Sequence, residues 1–259
     1  MTAYNHYLVL VVALLYCRDV NAVKGSQISH RGQFSFQADL IIAFKGSDTL
    51  YQTGSLISKN YVLTTASIVI DSDKITVVLG AYDVENKTEP TRRTYDGSHY
   101  SAHSRYDPKT GLNNIAVIKL NQSAEINDFI KTVPLPRFSY ICKPLIGKVA
   151  RVSGWGNVIP PVPIEYSVLR YADVRIKPPH DCLNVFPHTN YKQLCTTDSK
   201  KYFEQSDIGA PLVLGKTLVG VAAASAFNNG IESAPQVYTR IDVYLDWIKS
   251  STDVTILYS

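Results

Sequence analysis

Short apolar runs of strand length, separated by turn residues, recur along almost the whole chain. Their β-branched and aromatic content is typical of strands, and turn signals at intervals of roughly ten residues favour an all-β barrel or sandwich. Only the C-terminus has helical spacing, because Val243 and Trp247, and likewise Tyr244 and Ile248, lie four residues apart. The sequence therefore predicts strands at 34–44, 56–65, 75–79, 115–120, 149–153, 166–175, 211–214 and 217–222, followed by one α-helix.

The composition is that of an ordinary globular protein. The chain has 259 residues, of which 45% are hydrophobic and 19% charged, enough for a sizeable core. The formal net charge of +4 is small, and Arg92-Arg93 and Lys200-Lys201 are only pairs, so we predict no nucleic-acid or heparin patch. The histidine and cysteine spacings fit no zinc site, so we expect no metal or other cofactor. We also expect a monomer.

The N-terminus predicts secretion. Residues 7–16 form an apolar run too short to span a bilayer, and residues 20–22 fit the small-residue cleavage rule. We therefore expect a signal peptide at 1–22 and a mature extracellular protein at 23–259. No later stretch is long and apolar enough for a membrane span. Asn86 and Asn121 begin N-glycosylation sequons and are candidate glycan sites.

Cleavage of the signal peptide would remove Cys17 and leave three cysteines, an odd number. Cys142 then has no obvious partner. It is either a buried, inert thiol or an intermolecular handle, and the sequence leaves both alternatives open.

Seven short motifs occur along the chain: Gly32-Gln33-Phe34, Gly54-Ser55-Leu56-Ile57-Ser58, Leu63-Thr64-Thr65-Ala66-Ser67, Asn113-Asn114-Ile115-Ala116-Val117, Ser153-Gly154-Trp155-Gly156, Asp207-Ile208-Gly209-Ala210-Pro211 and Val237-Tyr238-Thr239-Arg240. Together they resemble the trypsin-like serine protease family. The resemblance covers nearly all of the mature chain, from Val23 to about Ser250, and implies two six-stranded antiparallel β-barrels with a cleft between them and a C-terminal helix. Residues 79–84 and 244–248 look most like arthropod chymotrypsin- and collagenase-type members.

All three residues that carry the family's chemistry are replaced in this chain. Ser67 stands at the position of the general-base histidine, and a hydroxyl cannot take up a proton near neutral pH as imidazole does. Asn114 stands for the aspartate, and an amide cannot stabilise the imidazolium cation. Ile208 stands for the nucleophilic serine, and an alkyl group cannot attack a carbonyl. His103 matches a non-catalytic histidine of the family, and the other histidines match no catalytic motif.

Asp207 is retained beside the lost serine. In active family members this aspartate pairs with a newly freed N-terminal amine, and the resemblance assigns that terminus to Val23. Signal cleavage after Ala22 would expose Val23 directly, so we expect a Val23–Asp207 ion pair and an active-like conformation upon secretion. The alternative is that Asp207 only caps nearby backbone amides. Lys24 and Ser26 depart from the family's usual residues.

The substrate pocket also differs from the family's pattern. Tyr202 falls on the specificity position at the pocket base, and Ala224 and Ser225 replace the Trp-Gly of one wall, so we expect a blocked pocket unless loop gaps misplace Tyr202. Ser206 replaces a glycine that donates an oxyanion-hole amide. The resemblance also implies a Cys182–Cys195 disulfide. Other positions where the family has cysteines are occupied by Gln52, Ile68, Ala150, Glu204 and Leu214.

The sequence therefore predicts a secreted, non-catalytic serine protease homologue that binds a protein, as a decoy, an immune modulator or an inhibitor of a proteolytic cascade. Two alternatives stay open. One is a weak hydrolase that uses Ser206 or Ser67 as nucleophile, and the other is a structural or storage protein.

Overall fold

The computed structural model describes residues 26–46, 49–141, 143–156, 167–198, 201, 203–226 and 235–258. The strands of the first half are β1 Gln27–Ile28, β2 Gln37–Ala43, β3 Leu50–Leu56, β4 Tyr61–Thr64, β5 Lys74–Leu79, β6 Arg93–Ala102 and β7 Ala116–Leu120. Those of the second half are β8 Val149–Gly154, β9 Arg170–Arg175, β10 Gln193–Thr196, β11 Pro211–Leu214, β12 Thr217–Ser225 and β13 Gln236–Arg240. The α-helices are α1 Ala66–Val69 and α2 Leu245–Ser251.

The first half is a closed antiparallel barrel of six strands in the order β2-β3-β4-β7-β6-β5. Alternate residues of each strand point to opposite faces of a sheet. Leu40 and Ile42 of β2 and Ile75, Val77 and Leu79 of β5 are therefore all fully buried in one core. Apolar residues at a period of two make these strands and fill the barrel.

The second half is a seven-stranded sheet in the order β1-β9-β8-β11-β12-β13-β10. Lys177, just after β9, forms an antiparallel bridge with Cys195 of β10. This bridge brings the two ends of the six-strand set β8 to β13 together, and β1 is added outside β9. The prediction of an all-β fold with a short C-terminal helix is confirmed.

Hydrogen bonds between buried side chains join the halves. Gln37 of β2 and Ser153 of β8 bond reciprocally, since the Ser153 hydroxyl donates to Gln37 Oε1 at 2.7 Å and Gln37 Nε2 donates to the Ser153 carbonyl at 3.2 Å. A buried amide with both ends satisfied holds a fixed register between the two sheets. Among the described residues, no helix has the length and apolarity that crossing a bilayer requires.

Candidate functional site

Ser67 and Asn114 lie side by side because of the register of the first barrel. Strand β4 pairs with β7 so that Thr64 is opposite Ala116. This register places the first turn of α1 next to Asn114. Asn114 Oδ1 accepts the backbone N–H of Ser67 at 2.9 Å, and Asn114 Nδ2 donates to Ser67 Oγ at 3.2 Å. The Asn114 amide thus binds both the backbone N–H and the hydroxyl of Ser67.

Two further hydroxyl groups, neither predicted from the sequence, surround Ser67. Thr65 Oγ1 lies 3.1 Å from Ser67 Oγ, and the Tyr106 hydroxyl is also hydrogen-bonded to Ser67. Burial raises the pKa of Tyr106, although its bond to Ser67 opposes that shift, so the phenol stays neutral at neutral pH. Tyr106 lies far from Ser67 in the sequence, and only the fold brings them together.

The loop that carries Ile208 is docked on β3. Thr53 donates its backbone N–H to the Ile208 carbonyl at 3.0 Å, and its hydroxyl lies 3.1 Å from the carbonyls of both Asp207 and Ile208. Gly209 follows at a φ of 90°, where a Cβ would collide with the Thr53 carbonyl oxygen. Glycine is therefore required at this turn, and Ile208 is held in place with only 5% of its surface exposed.

Asp207 is completely buried and accepts backbone hydrogen bonds with both carboxylate oxygens. Oδ1 accepts the N–H of Gly156 at 2.8 Å, and Oδ2 accepts that of Glu204 at 3.1 Å. Gly154 makes room for this carboxylate, because a Cβ there would collide with it. Val23 lies outside the described residues, so the Val23–Asp207 ion pair stays a prediction.

The three residues that the sequence comparison assigns to triad positions, Ser67, Asn114 and Ile208, all line one cleft of about 400 Å³ between the halves. In the described part of its wall, Lys109 is the one charged side chain. The remainder is apolar or carries uncharged polar groups such as Gln52 and Gln193. Such a surface suits an uncharged, partly apolar segment of a ligand.

The structure describes two of the three residues predicted to block the substrate pocket. Ala224 lines the cleft from β12, and Ser225 follows it opposite Gln236 of β13. Tyr202 lies outside the described residues, so its role at the pocket base stays a prediction.

A second cavity, of about 440 Å³, adjoins the first and shares Leu50, Gln52 and Gln205 with its lining. It is lined by Ser206, Gln205, Gln52 and Trp155 among others. Ser206 Oγ and Gln52 Oε1 are buried, and within the described residues neither has a hydrogen-bond partner. Ser206 thus has no base at hydrogen-bonding distance there.

The implied disulfide is present between Cys182 and Cys195, which lie 13 residues apart. It is buried with Val237, and Phe186 and Ala224 pack against it, so the bridge supports one wall of the cleft. On the chain-entropy estimate, closing such a short loop contributes roughly 3 kcal/mol.

Of the positions where the family has other cysteines, Ile68 and Ala150 are buried in the core. Cys142 lies outside the described residues. Asn86 and Asn121 are both exposed, as N-glycosylation requires.

Comparison with known proteins agrees with this geometry. The sequence profile of the trypsin family matches residues 23–248. A chymotrypsin of Phaedon cochleariae is 29% identical over 214 residues, 82% of this chain and 76% of that protein. Kallikrein-7 of Homo sapiens is 30% identical over 213 residues, 81% of each. A solved HL collagenase superposes with a TM-score of 0.79 at 26% identity, covering 90% of this chain and 100% of that chain. The chain therefore belongs to the trypsin family.

Proposed function

We propose that this chain is a secreted member of the trypsin family that has lost peptide-bond hydrolysis and acts by binding a protein in its former active-site cleft. One observation carries the proposal: the side chain facing the cleft at the nucleophile position is Ile208. An alkyl group has neither a lone pair nor an ionisable proton, so no acyl-enzyme can form there. Secretion rests on the N-terminal apolar run and the small-residue cleavage site that follows it.

The surroundings of Ser67 support the same conclusion. Its hydroxyl is hydrogen-bonded to Thr65, Asn114 and Tyr106, none of which accepts a proton near neutral pH. A nucleophilic hydroxyl needs a neighbouring base. The network instead satisfies the hydroxyl of an exposed residue and orients its side chain at the cleft wall.

The chemistry of the cleft indicates the kind of partner. Amide side chains such as Gln52, Gln193 and Gln205 alternate with apolar groups such as Phe44 and Phe186. Uncharged hydrogen-bonding groups beside apolar walls fit an extended loop of another protein better than a charged small molecule. A component of a proteolytic cascade or of an immune response, held without cleavage, is the partner class that we propose.

The loss of hydrolysis is tested with a fluorophosphonate probe and intact-mass measurement of the secreted protein. We expect no adduct under conditions where an active trypsin-family protease is fully labelled. Heat-denatured protein is the matched background control. A stoichiometric adduct on Ser67 or on Ser206 would make the chain a hydrolase with a non-standard nucleophile. Ser206 is a candidate because its hydroxyl has no partner among the described residues.

Restoring the triad tests whether the substrate pocket is impaired as well. In the combined variant Ser67→His, Asn114→Asp, Ile208→Ser we expect turnover of peptide substrates to stay close to background. Ala224 and Ser225 still replace the wall residues that pair with substrate in active members. The Ile208→Ser single variant is the control for a lone hydroxyl. Turnover comparable to that of an active relative would overturn the blocked-pocket part of the proposal.

The location of the binding surface is tested by measuring how tightly two variants of this protein bind a partner that the wild-type protein has captured. Ala224→Arg places a charge in the cleft, whereas Ile146→Arg places one at a residue that is 55% exposed and absent from the cleft lining. We expect Ala224→Arg to weaken binding at least tenfold and Ile146→Arg to leave it unchanged. The opposite pattern would assign recognition to an outer face.

A further inference from the structure

An open groove of about 670 Å³ lies on the outer side of the first barrel, away from the cleft residues. Its floor includes the Phe129 ring, which is 37% exposed, together with Pro90 and Thr91. Asn86, the first residue of a sequon, also lines it. The volume falls in the range of small-ligand pockets, and an exposed aromatic ring in such a groove favours a covering group.

The groove is rigid because the loop that carries Asn86 is anchored by a buried carboxylate. Glu89 is 4% exposed and accepts the backbone N–H groups of Tyr82 and Asp83. It also forms an ion pair with Arg31, whose guanidinium lies over the Tyr82 ring at 4.6 Å. Charge-assisted hydrogen bonds of this kind hold a loop in one conformation.

The Asn86 side chain is oriented by its own sequon. Its Oδ1 accepts the backbone N–H of Thr88 at 3.1 Å and the Thr88 hydroxyl at 2.9 Å. Within the described residues Nδ2, the atom that carries a glycan, makes no hydrogen bond to protein. Fixing the oxygen therefore turns the nitrogen outward at the rim of the groove.

The second sequon is placed differently. Its Ser123 hydroxyl donates to Asn60 Oδ1 at 2.6 Å, and Asn60 in turn donates to Asp253 at 2.6 Å. The sequon hydroxyl of Asn121 thus belongs to a network with the C-terminal segment and not to its own asparagine.

We propose that Asn86 carries an N-linked glycan whose first sugars lie in the groove against Phe129 and Pro90. In the transfer, Asn86 Nδ2 bonds to the anomeric carbon of an acetylglucosamine on a lipid-linked donor, the polyisoprenyl pyrophosphate leaves, and an amide proton goes to solvent. Attachment occurs on the chain in the secretory pathway, so the folded geometry decides where the sugars lie. The apolar face of a pyranose covers the aromatic ring while its hydroxyls stay in water. The inference rests on secretion and is independent of the cleft.

The test uses full-length protein secreted from a glycosylating eukaryotic host, in an Asn121→Gln background. Peptide mass mapping, melting temperature and hydrogen exchange at residues 126–131 are measured before and after glycosidase treatment. Thr88→Ser keeps the sequon and is the matched control for Thr88→Val, which removes it without changing Asn86. We expect a glycan on Asn86 in the protein with Thr88 and in the Thr88→Ser variant, and none in the Thr88→Val variant. Its removal should lower the melting temperature by about 2 °C and speed exchange around Phe129.

The Phe129→Ser variant separates attachment from packing, because it keeps the sequon and removes the ring. Its glycan should be present, but deglycosylation should no longer change the melting temperature. An unmodified Asn86 in the wild-type sequence would overturn the proposal. A glycan whose removal changes neither melting nor exchange would show that the sugars point into solvent, which also contradicts it.

Discussion

At the scale of single residues, burial changes the pKa of the Asp39 carboxyl group. Asp39 of β2 is 4% exposed, and its carboxylate lies 3.7 Å from Arg92 Nη2, beyond hydrogen-bonding distance. Arg92 Nη1 has no hydrogen-bond partner among the described residues. Burial raises the pKa of Asp39 from 3.8 to about 6, and the nearby Arg92 charge only partly opposes it. The ion pair therefore does not fully offset the cost of burying the carboxylate.

A pH-dependent stability follows from Asp39. A folded-state pKa of about 6 above an unfolded value of 3.8 gives a contribution that is fully present below pH 3.8 and is lost as pH rises through 6. Asp39→Asn should remove this slope, which amounts to at most about 1.4 kcal/mol per pH unit. Urea unfolding of both proteins between pH 4 and pH 7 measures it.

The control for this experiment is Asp96→Asn, which removes a half-exposed partner of Lys74 and should keep the slope. His103 acts in the opposite direction, because burial lowers its pKa: its stabilising contribution is present above pH 6.5 and is lost as pH falls from 6.5 through the lowered folded-state pKa. Because His103 is present in every variant, its pH-dependent contribution is the same in each and cancels when the unfolding curves are compared. Parallel curves for wild type and Asp39→Asn would show that the carboxylate stays ionised throughout.

At the scale of elements, the C-terminal helix and the tail that follows it pack against both halves of the molecule. Helix α2 buries Leu245 and Ile248 against both halves. Of the two predicted pairs, Tyr244 and Ile248 are both buried and Val243 and Trp247 partly so, although Val243 and Tyr244 lie in the turn before the helix. Beyond the helix, the N–H groups of Phe138 and Ser139 donate to the carbonyls of Leu257 and Tyr258 at 3.0 and 3.1 Å. The tail therefore pairs with the segment that connects the two halves.

Within that tail, Ile256 is 5% exposed and its neighbour Leu257 is 54% exposed. Ile256→Ala should lower the free energy of unfolding by about 2 kcal/mol, since it removes buried apolar surface and leaves a cavity. Leu257→Ala is the matched control and should change it by less than about 0.5 kcal/mol. Chemical denaturation of the two variants measures the difference, and equal effects would mean that the tail is not docked in solution.

At the scale of the whole molecule, the segments that carry Asn114 and Ile208 join the two halves. The Thr239 hydroxyl of β13 donates to the Asn114 carbonyl at 2.7 Å, and Thr53 of β3 bonds to the loop of Asp207 and Ile208. These buried bonds link residues more than 100 positions apart in the chain. Backbone groups at Asn114, Asp207 and Ile208 therefore help to hold the two halves together.

The predicted Val23–Asp207 ion pair belongs to this scale, because it would join the chain start to the loop between the halves. A secreted form extended by one N-terminal glycine should melt several degrees lower, since the amine is displaced from a completely buried carboxylate. Differential scanning calorimetry measures the shift. In an Asp207→Asn background the same extension should have no further effect. An unchanged melting temperature in the wild-type background would contradict the ion pair and favour the alternative that Asp207 caps backbone amides such as those of Gly156 and Glu204.

Strands with strong apolar periodicity were predictable, and strands without it were not. The runs at 75–79 and 115–120 coincide with β5 and β7 to within a residue, because both faces of these strands bury apolar side chains. Strand β6 was missed, since Tyr95 is its one buried residue. The run at 56–65 was wrong as a single strand, because β3 ends at Leu56 and a turn precedes β4.

The sequence alone shows which residue types stand at the three triad positions, and it shows that Asp207 and the family's motifs are present. These local features were enough to predict a protease scaffold without its catalytic groups. The tertiary structure decided what those side chains contact. Tyr106 and Thr65 reach Ser67, Thr53 holds the Ile208 loop, and Phe129 lies in the groove beside Asn86. Sequence patterns report which side chains will be buried, because burial follows local periodicity. Which distant groups meet depends on strand register and on how the two halves pack, and no local pattern encodes that.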